Sequence, residues 1–313
     1  MNVKRVFITN LKRTERKDNT MSNIFDSAMN TINHSFIDLY HRDPHIISVF
    51  VVGSMAIRPY TERKYNDYDI RCIVDEFVPE TYDNVRRTVE RCVEEFKDSE
   101  EIGVASSDLV GPVNHHVTNK EHNILIHYMV HSMDDLTGFL PDTHKYMYGN
   151  HYLHLRGRDV LAELSLADAR YSLSDIVNGY EGIDYCTDMI RKHTHRYCRY
   201  EVVEGKCEFV TYELPADTYV QHENCFYATL KNIGNLRNHD YFTGLDTADS
   251  LFDYGKRILG EVGYTDYALL EILLTKNEAR LVKEYPAFGE ATIVLLNHLR
   301  RYVMNRIAED AGH

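Results

Sequence analysis

The chain has 313 residues, 43% of them apolar and 27% charged, enough to bury the core of one large domain or two ordinary ones. No segment approaches the roughly 18 consecutive apolar residues that a membrane span needs, and the basic start lacks the apolar core of a signal peptide. The formal net charge of −13 argues against long nucleic acid as the main partner, because duplex binding depends on a basic surface. These properties predict a cytoplasmic globular protein with a small substrate and no membrane partner.

The first predicted elements are a helix over residues 21–40 and a strand over 46–52. Apolar residues recur at helical spacing in the first segment, and the second is a run of β-branched and apolar residues that stops at Gly53. The polar stretch 58–66 is rich in charged and turn residues and predicts a loop. The segment 1–19 is a basic extension, for which two interpretations stay open: a solvated terminal tail, or a contact with a polyanion.

The next predicted elements are a strand over 68–74, a helix after Pro79 that ends near Lys97, and a strand over 124–130. Because side chains alternate along a strand, Asp67, Asp69 and Arg71 should share one face and the apolar residues between them the other.

Beyond about residue 140 the pattern becomes helical. Predicted helices cover 143–152, 158–167, 180–199, 223–237, 248–260, 265–284 and 287–308, and a small hairpin is predicted over 200–214 about Glu204-Gly205. The predicted fold class is therefore α/β, with a mixed sheet flanked by helices and then a mainly helical domain. We expect the first domain to cover residues 20–140 and the second to cover 141–313 and to complete the substrate cleft.

Two carboxylates indicate the chemistry. Asp67 and Asp69 stand two positions apart on one strand, so their side chains project the same way and can share a hard cation that prefers oxygen ligands. This geometry suits magnesium, as one ion or two, and manganese could substitute. Such a site is typical of phosphoryl transfer.

The turn that follows the preceding strand supplies a candidate phosphate contact. Glycine at position 53 lets the backbone approach a ligand closely, and the hydroxyl of Ser54 can donate a hydrogen bond to a phosphate oxygen. Backbone amides at the start of a following helix would face the same group. An ordinary turn and a solvated strand end would show the same residues, so neither the Gly53-Ser54 turn nor the Asp67 and Asp69 pair is specific alone.

Together the two halves resemble a known family. A buried strand that ends in Gly53-Ser54, followed after twelve residues by Asp67-Tyr68-Asp69-Ile70, is similar to the signature of the DNA-polymerase-β-like nucleotidyltransferase superfamily. This superfamily includes the aminoglycoside and lincosamide nucleotidyltransferases. The resemblance implies that Gly53 and Ser54 bind the phosphates of a nucleotide and that Asp67 and Asp69 bind the metal.

Other residues are candidates for supporting roles. Arg58 and Lys231 are candidate phosphate contacts, although a solvated arginine and a solvated lysine would look the same in sequence. The family commonly supplies a third carboxylate from a later strand, where this chain has His127 at the central polar position. We interpret His127 as a candidate base or metal ligand. Four carboxylates stay open as alternatives if the strand register differs: Asp108, Glu121, Asp134 and Asp135.

The function that this resemblance implies is transfer of a nucleoside monophosphate from an NTP, such as ATP, to a hydroxyl of a small acceptor, with release of pyrophosphate. A cationic acceptor such as an aminoglycoside would suit the acidic chain. Two alternatives stay open: nucleotidyl transfer to a protein or tRNA, and a nucleotide-binding module without catalytic activity.

Overall fold

The computed structural model describes residues 19–57, 65–107, 122–139, 152–163, 172–179, 181–203, 206–245 and 249–311, and the statements below concern these residues. Arg58 and most of the predicted loop 58–66 lie outside them, as do Asp108, Glu121 and residues 143–151 of the helix predicted over 143–152. The last residue of that predicted helix, Tyr152, instead begins a strand. No helix of the described part is long and apolar enough to cross a membrane.

The elements predicted for the first part of the chain are present. The structure has helices α1 (Asn19–Arg42), α2 (Ser54–Ile57) and α3 (Pro79–Glu95), and strands β1 (Ile46–Val52), β2 (Tyr65–Val74), β3 (Ile102–Ser107), β4 (His122–Ser132) and β5 (Tyr152–Gly157). Strands β3 and β5 were not predicted, because each has only six residues and neither shows a clear alternation of apolar and polar side chains.

The five strands form one mixed sheet in the order β3-β4-β2-β1-β5. β1 pairs antiparallel with β2 and with β5, whereas β4 pairs parallel with β2 and with β3. The predicted α/β class is therefore confirmed. The sheet takes its edge strand β5 from beyond residue 140, and the division of the chain near that residue stays a prediction.

The later part of the chain is mainly helical, as predicted. Its helices are Val160–Glu163, Leu173–Asn178, Ile183–Lys192, Thr218–Phe242, Leu251–Glu261, Tyr267–Leu274, Glu278–Glu284 and Phe288–Ala311. The predicted hairpin is also present, with β6 (Thr194–Val203) antiparallel to β7 (Lys206–Pro215). Val203 pairs with Lys206, and the predicted turn at residues 204–205 lies outside the described residues.

Two predicted helices are too long. The helix predicted over 180–199 ends at Lys192, because His193 adopts a left-handed conformation with φ 52° and the chain continues into β6. The helix predicted over 265–284 is two helices, separated by a turn in which Lys276 also has φ 52°. Asn277 then caps the second helix by accepting a hydrogen bond from the backbone of Arg280. Local capping therefore overrides the apolar periodicity at both places.

Within the described residues, the buried apolar side chains form three cores. One lies between α1, α3 and one face of the sheet, and contains Phe36, Tyr68 and Ile70. A smaller core covers part of the opposite face, and a third fills the helical region. The first core fixes which face of β2 is left for polar side chains.

The helical core also encloses a charged cluster. The Asp240 carboxylate is almost fully buried, accepts a hydrogen bond of 2.7 Å from the Tyr254 hydroxyl and forms an ion pair with Arg306. Burial alone would raise the pKa of Asp240, but the neighbouring His239 ring and the hydrogen bonds from Tyr254 and Arg306 outweigh it and the pKa is lowered.

We expect Asp240→Asn to lower the free energy of unfolding by about 3 kcal/mol, because it leaves the half-buried Arg306 without its carboxylate. Urea unfolding followed by circular dichroism measures the change. The matched control is Asp188→Asn, which removes an exposed carboxylate that pairs with Lys192 and should cost less than about 0.5 kcal/mol. Equal effects of the two changes would contradict this account of the cluster.

Candidate functional site

The register of β1 and β2 brings the predicted glycine turn to the predicted carboxylates. Val52 lies opposite Asp69 in the antiparallel pair, and Gly53 follows Val52 with φ +77°. A Cβ atom placed on Gly53 would lie only 2.9 Å from Asp69 Oδ2. The backbone of this turn therefore packs directly against one carboxylate, and only glycine leaves the space for it.

The apolar and acidic side chains of β2 lie on opposite faces of the strand, as predicted. Tyr68, Ile70 and the other apolar residues of that face are buried against α1 and α3, whereas Asp67 and Asp69 are partly exposed on the opposite face. Arg71 shares the face of the two carboxylates but is buried. The acidic pair is therefore fixed by a strand whose other side is held in the core.

Asp69 is held in place from two sides. His127 lies opposite it on β4, and its Nδ1 is 3.0 Å from Asp69 Oδ1, while Arg71 Nη2 lies 3.4 Å from the same oxygen. Burial would raise the pKa of Asp69, but the hydrogen bond with His127 and the charge of Arg71 lower it below its usual value. Asp69 is thus a fixed anion. In the sequence, Arg71 stands at the same alternate positions of the strand as Asp67 and Asp69, and this alternation predicted that the three side chains share one face.

Asp67 lies in a different electrostatic environment. Burial raises its pKa to about 6, and the neighbouring Asp69 carboxylate adds to the increase. The two carboxyl groups repel each other, so a cation bound between them would favour the charged form of both.

Two residues of the helical region also act on Asp67. The charge of Lys276 lowers its pKa and the charge of Glu223 raises it. Lys276 Nζ and Glu223 Oε2 are 3.2 Å apart. Sequence patterns did not single out either residue, because Glu223 is one polar residue on a long helix and Lys276 fell inside a predicted helix.

The other predicted phosphate contacts are placed differently or lie outside the described residues. Lys231 Nζ lies 3.2 Å from the Oε2 atom of the buried Glu181, and its ammonium is 6.0 Å from the Tyr227 ring centroid. Ser54 begins α2, but its side chain is outside the described part, as is Arg58. Their contacts with phosphate stay predictions.

The strand β4 contributes no carboxylate to the site. The carboxylate of Asp135 accepts a hydrogen bond of 2.8 Å from the backbone of Ser132, so it stabilises the turn after the strand. Asp134 is exposed in the same turn. The central polar position of β4 is occupied by His127, which contacts Asp69.

Among the described residues, no group of three or more His, Cys, Asp or Glu side chains is arranged to hold a metal ion. A pair of carboxylates is nevertheless the set of protein ligands that magnesium uses when a substrate's phosphate oxygens and water complete its coordination. Asp67 and Asp69 fit that role, because they share one face and concentrate negative charge there.

One solved structure that is similar to this chain is the spectinomycin adenyltransferase AAD(9) from Enterococcus faecialis, determined with ATP and spectinomycin. The match covers 89% of this chain and 99% of that chain, with 12% sequence identity and a TM-score of 0.44. No protein-family model matches the chain, and no curated protein matches its sequence significantly. The similarity is distant, so the function of this chain has to be argued from its own residues.

Proposed function

We propose that the protein is a nucleotidyltransferase that transfers a nucleoside monophosphate from an NTP to a hydroxyl of a small acceptor, with release of pyrophosphate. The observation that carries this proposal is the contact between the Gly53 turn and the Asp69 carboxylate, with Asp67 on the same strand face. A phosphate chain lying along the turn would reach both carboxylates through shared cations.

Each residue has a distinct part in this proposal. Asp67 and Asp69 hold magnesium, and Gly53 and Ser54 bind the phosphates. Bound magnesium would make the acceptor hydroxyl more acidic and neutralise the leaving pyrophosphate. His127 is a positioning residue, because its Nδ1 contacts Asp69 and fixes the direction of that carboxylate.

A small cationic acceptor fits the charges of the protein. The net charge is −13, and Asp67 and Asp69 place two carboxylates on one face of β2. Electrostatic attraction would raise the local concentration of a cationic acceptor at such a surface. Aminoglycosides belong to this class.

Pyrophosphate release tests the proposal. We expect release when the protein is incubated with magnesium, one of the four NTPs and a panel of hydroxyl-bearing cationic molecules. Chelation of the metal with EDTA should abolish the signal, and added magnesium should restore it. Mass spectrometry of the acceptor should show the added nucleoside monophosphate.

Two further measurements, labelling in a cell lysate and the melting temperature with NTP, separate the alternative functions. If labelled nucleotide accumulates on a protein or on tRNA in a cell lysate, the acceptor is a macromolecule and the small-acceptor proposal is wrong. If NTP raises the melting temperature but no acceptor supports pyrophosphate release, the protein is a nucleotide-binding module without catalytic activity.

A further inference from the structure

The two oxygens of the Asp69 carboxylate have different surroundings. Oδ1 lies 3.0 Å from His127 Nδ1 and 3.4 Å from Arg71 Nη2. Oδ2 lies on the side of the Gly53 turn, where a Cβ atom added to that glycine would be 2.9 Å from it. Among the described residues, no group donates a hydrogen bond to Oδ2. The protein therefore supplies donors to one oxygen of Asp69 and leaves the other for a ligand.

Both donors to Oδ1 are held by the sheet. His127 lies opposite Asp69 on β4. The Arg71 side chain is only 6% exposed, and its Nη1 donates to the backbone oxygens of Ile70 at 3.0 Å and of His127 at 3.4 Å. Because an arginine keeps its positive charge in proteins, a permanent cation lies beside Oδ1. One carboxylate oxygen accepts about two hydrogen bonds, so these two donors fill Oδ1.

The contact between His127 and Asp69 also determines which atoms can bind a metal ion. An ionised carboxylate only accepts hydrogen bonds, so His127 Nδ1 is the donor in this contact. A ring nitrogen that carries a proton has no lone pair for a metal ion. His127 therefore directs the Asp69 carboxylate and does not bind metal through Nδ1, as is common for a group that donates to a metal-binding carboxylate.

The Asp67 carboxylate, in contrast to Asp69, has no donor in the described part of the chain. Its side chain is partly exposed, and none of the described residues forms a hydrogen bond or an ion pair with it. Asp67 and Asp69 lie two positions apart on one face of β2, so their Cα atoms are about 6.5 Å apart. The acidic oxygens that the protein leaves for a cation are therefore those of Asp67 and Oδ2 of Asp69.

The charges of this face also favour one divalent ion over two. Asp67 and Asp69 contribute two negative charges, and the guanidinium of Arg71 offsets one of them. Two divalent ions about 4 Å apart repel each other strongly, and they need carboxylate oxygens that bridge them or bind each of them. Oδ1 of Asp69 is already filled, and the neighbouring position on β4 is a histidine.

We propose that the site holds a single divalent ion, bound by Asp67 and by Oδ2 of Asp69, and that Arg71 and His127 exclude a second ion by filling Oδ1. This inference rests on the proposed function and adds the number of ions to it. Arg71 and His127 also turn Oδ2 towards the Gly53 turn, which is the side where the proposed function places the phosphates.

The number of bound ions tests this inference without a measurement of activity. The wild-type protein is equilibrated with manganese and the α,β-methylene analogues of the four NTPs, and bound manganese and bound nucleotide are counted by equilibrium dialysis. Electron paramagnetic resonance then distinguishes an isolated manganese ion from two ions about 4 Å apart, whose spins interact. We expect one manganese ion per nucleotide and the spectrum of an isolated ion. Two ions with interacting spins would overturn the inference.

Replacement of His127 should admit a second ion. His127→Asp removes one donor from Oδ1 and adds a carboxylate beside Asp69. We expect this variant to bind two manganese ions per nucleotide, with interacting spins. The matched control is His127→Asn, which has the size of the aspartate variant but adds no charge and keeps an amide donor. It should bind one ion, as the wild type does.

The outcomes separate this inference from the proposed function. A folded His127→Asp variant that still binds one ion, or a His127→Asn variant that binds two, would overturn the exclusion of a second ion. If none of the four analogues binds to the wild type, or if nucleotide binds without manganese, the proposed function itself is overturned. Thermal unfolding verifies that each variant is folded, and the wild-type count decides the inference if a variant is not.

Discussion

Asp69→Asn is expected to lower kcat/KM for nucleotidyl transfer about a thousandfold, because it removes a charged metal ligand at the centre of the site. The asparagine keeps the size of the side chain but cannot balance Arg71, which lies 3.4 Å from Asp69 Oδ1. Pyrophosphate release at saturating magnesium and at a range of NTP concentrations measures the effect.

The matched control for this change is Asp75→Asn. Asp75 follows β2, is exposed and lies 3.1 Å from the His45 ring, so its replacement removes one negative charge away from the proposed metal site. Its activity should stay within twofold of the wild type. An Asp69→Asn variant that is folded and keeps more than a tenth of the activity would rule out the proposed role of Asp69.

Gly53→Ala is expected to lower activity about a hundredfold, the size of effect that a shift of about 1 Å in a reacting group can have. The added Cβ would lie 2.9 Å from Asp69 Oδ2. The carboxylate cannot move aside without loss of its contact with His127, which is 3.0 Å from the other oxygen. The positive φ of Gly53 adds a backbone strain of about 1–2 kcal/mol.

Gly263→Ala separates the backbone strain from the displacement of the carboxylate. Gly263 has φ +78°, nearly the value of Gly53, and an added Cβ would meet no atom within 4 Å. We expect both variants to lose the stability that the positive φ costs, with a larger loss for Gly53→Ala because of the conflict with Asp69, and only Gly53→Ala to lose activity. Equal activity losses would show that strain alone explains the effect and that the close approach to Asp69 has no part in it.

The local sequence pattern was sufficient to predict the strand geometry of the site. Alternation along β2 correctly placed Asp67 and Asp69 on one face, because the period of two is a property of the strand itself. The run of apolar residues before Gly53 correctly predicted where β1 ends. The pairing that puts Gly53 against Asp69 depends on the register of two strands, which no single-strand pattern determines.

The contribution of the helical region could not be predicted in this way. Lys276 was placed inside a continuous helix, because the apolar periodicity continues across the turn that contains it. The cap at Asn277 was a local signal that such a helix is interrupted. The electrostatic effect of Glu223 on Asp67 joins residues more than 150 positions apart, so it depends on packing that local patterns do not encode.

The most direct test of the central claim is a crystal structure of the protein with manganese and a non-hydrolysable NTP, with metal positions taken from anomalous scattering. The account predicts manganese bound by the carboxylates of Asp67 and Asp69, with the triphosphate along the Gly53 turn. Nucleotide bound elsewhere, or manganese that contacts neither carboxylate, would contradict it.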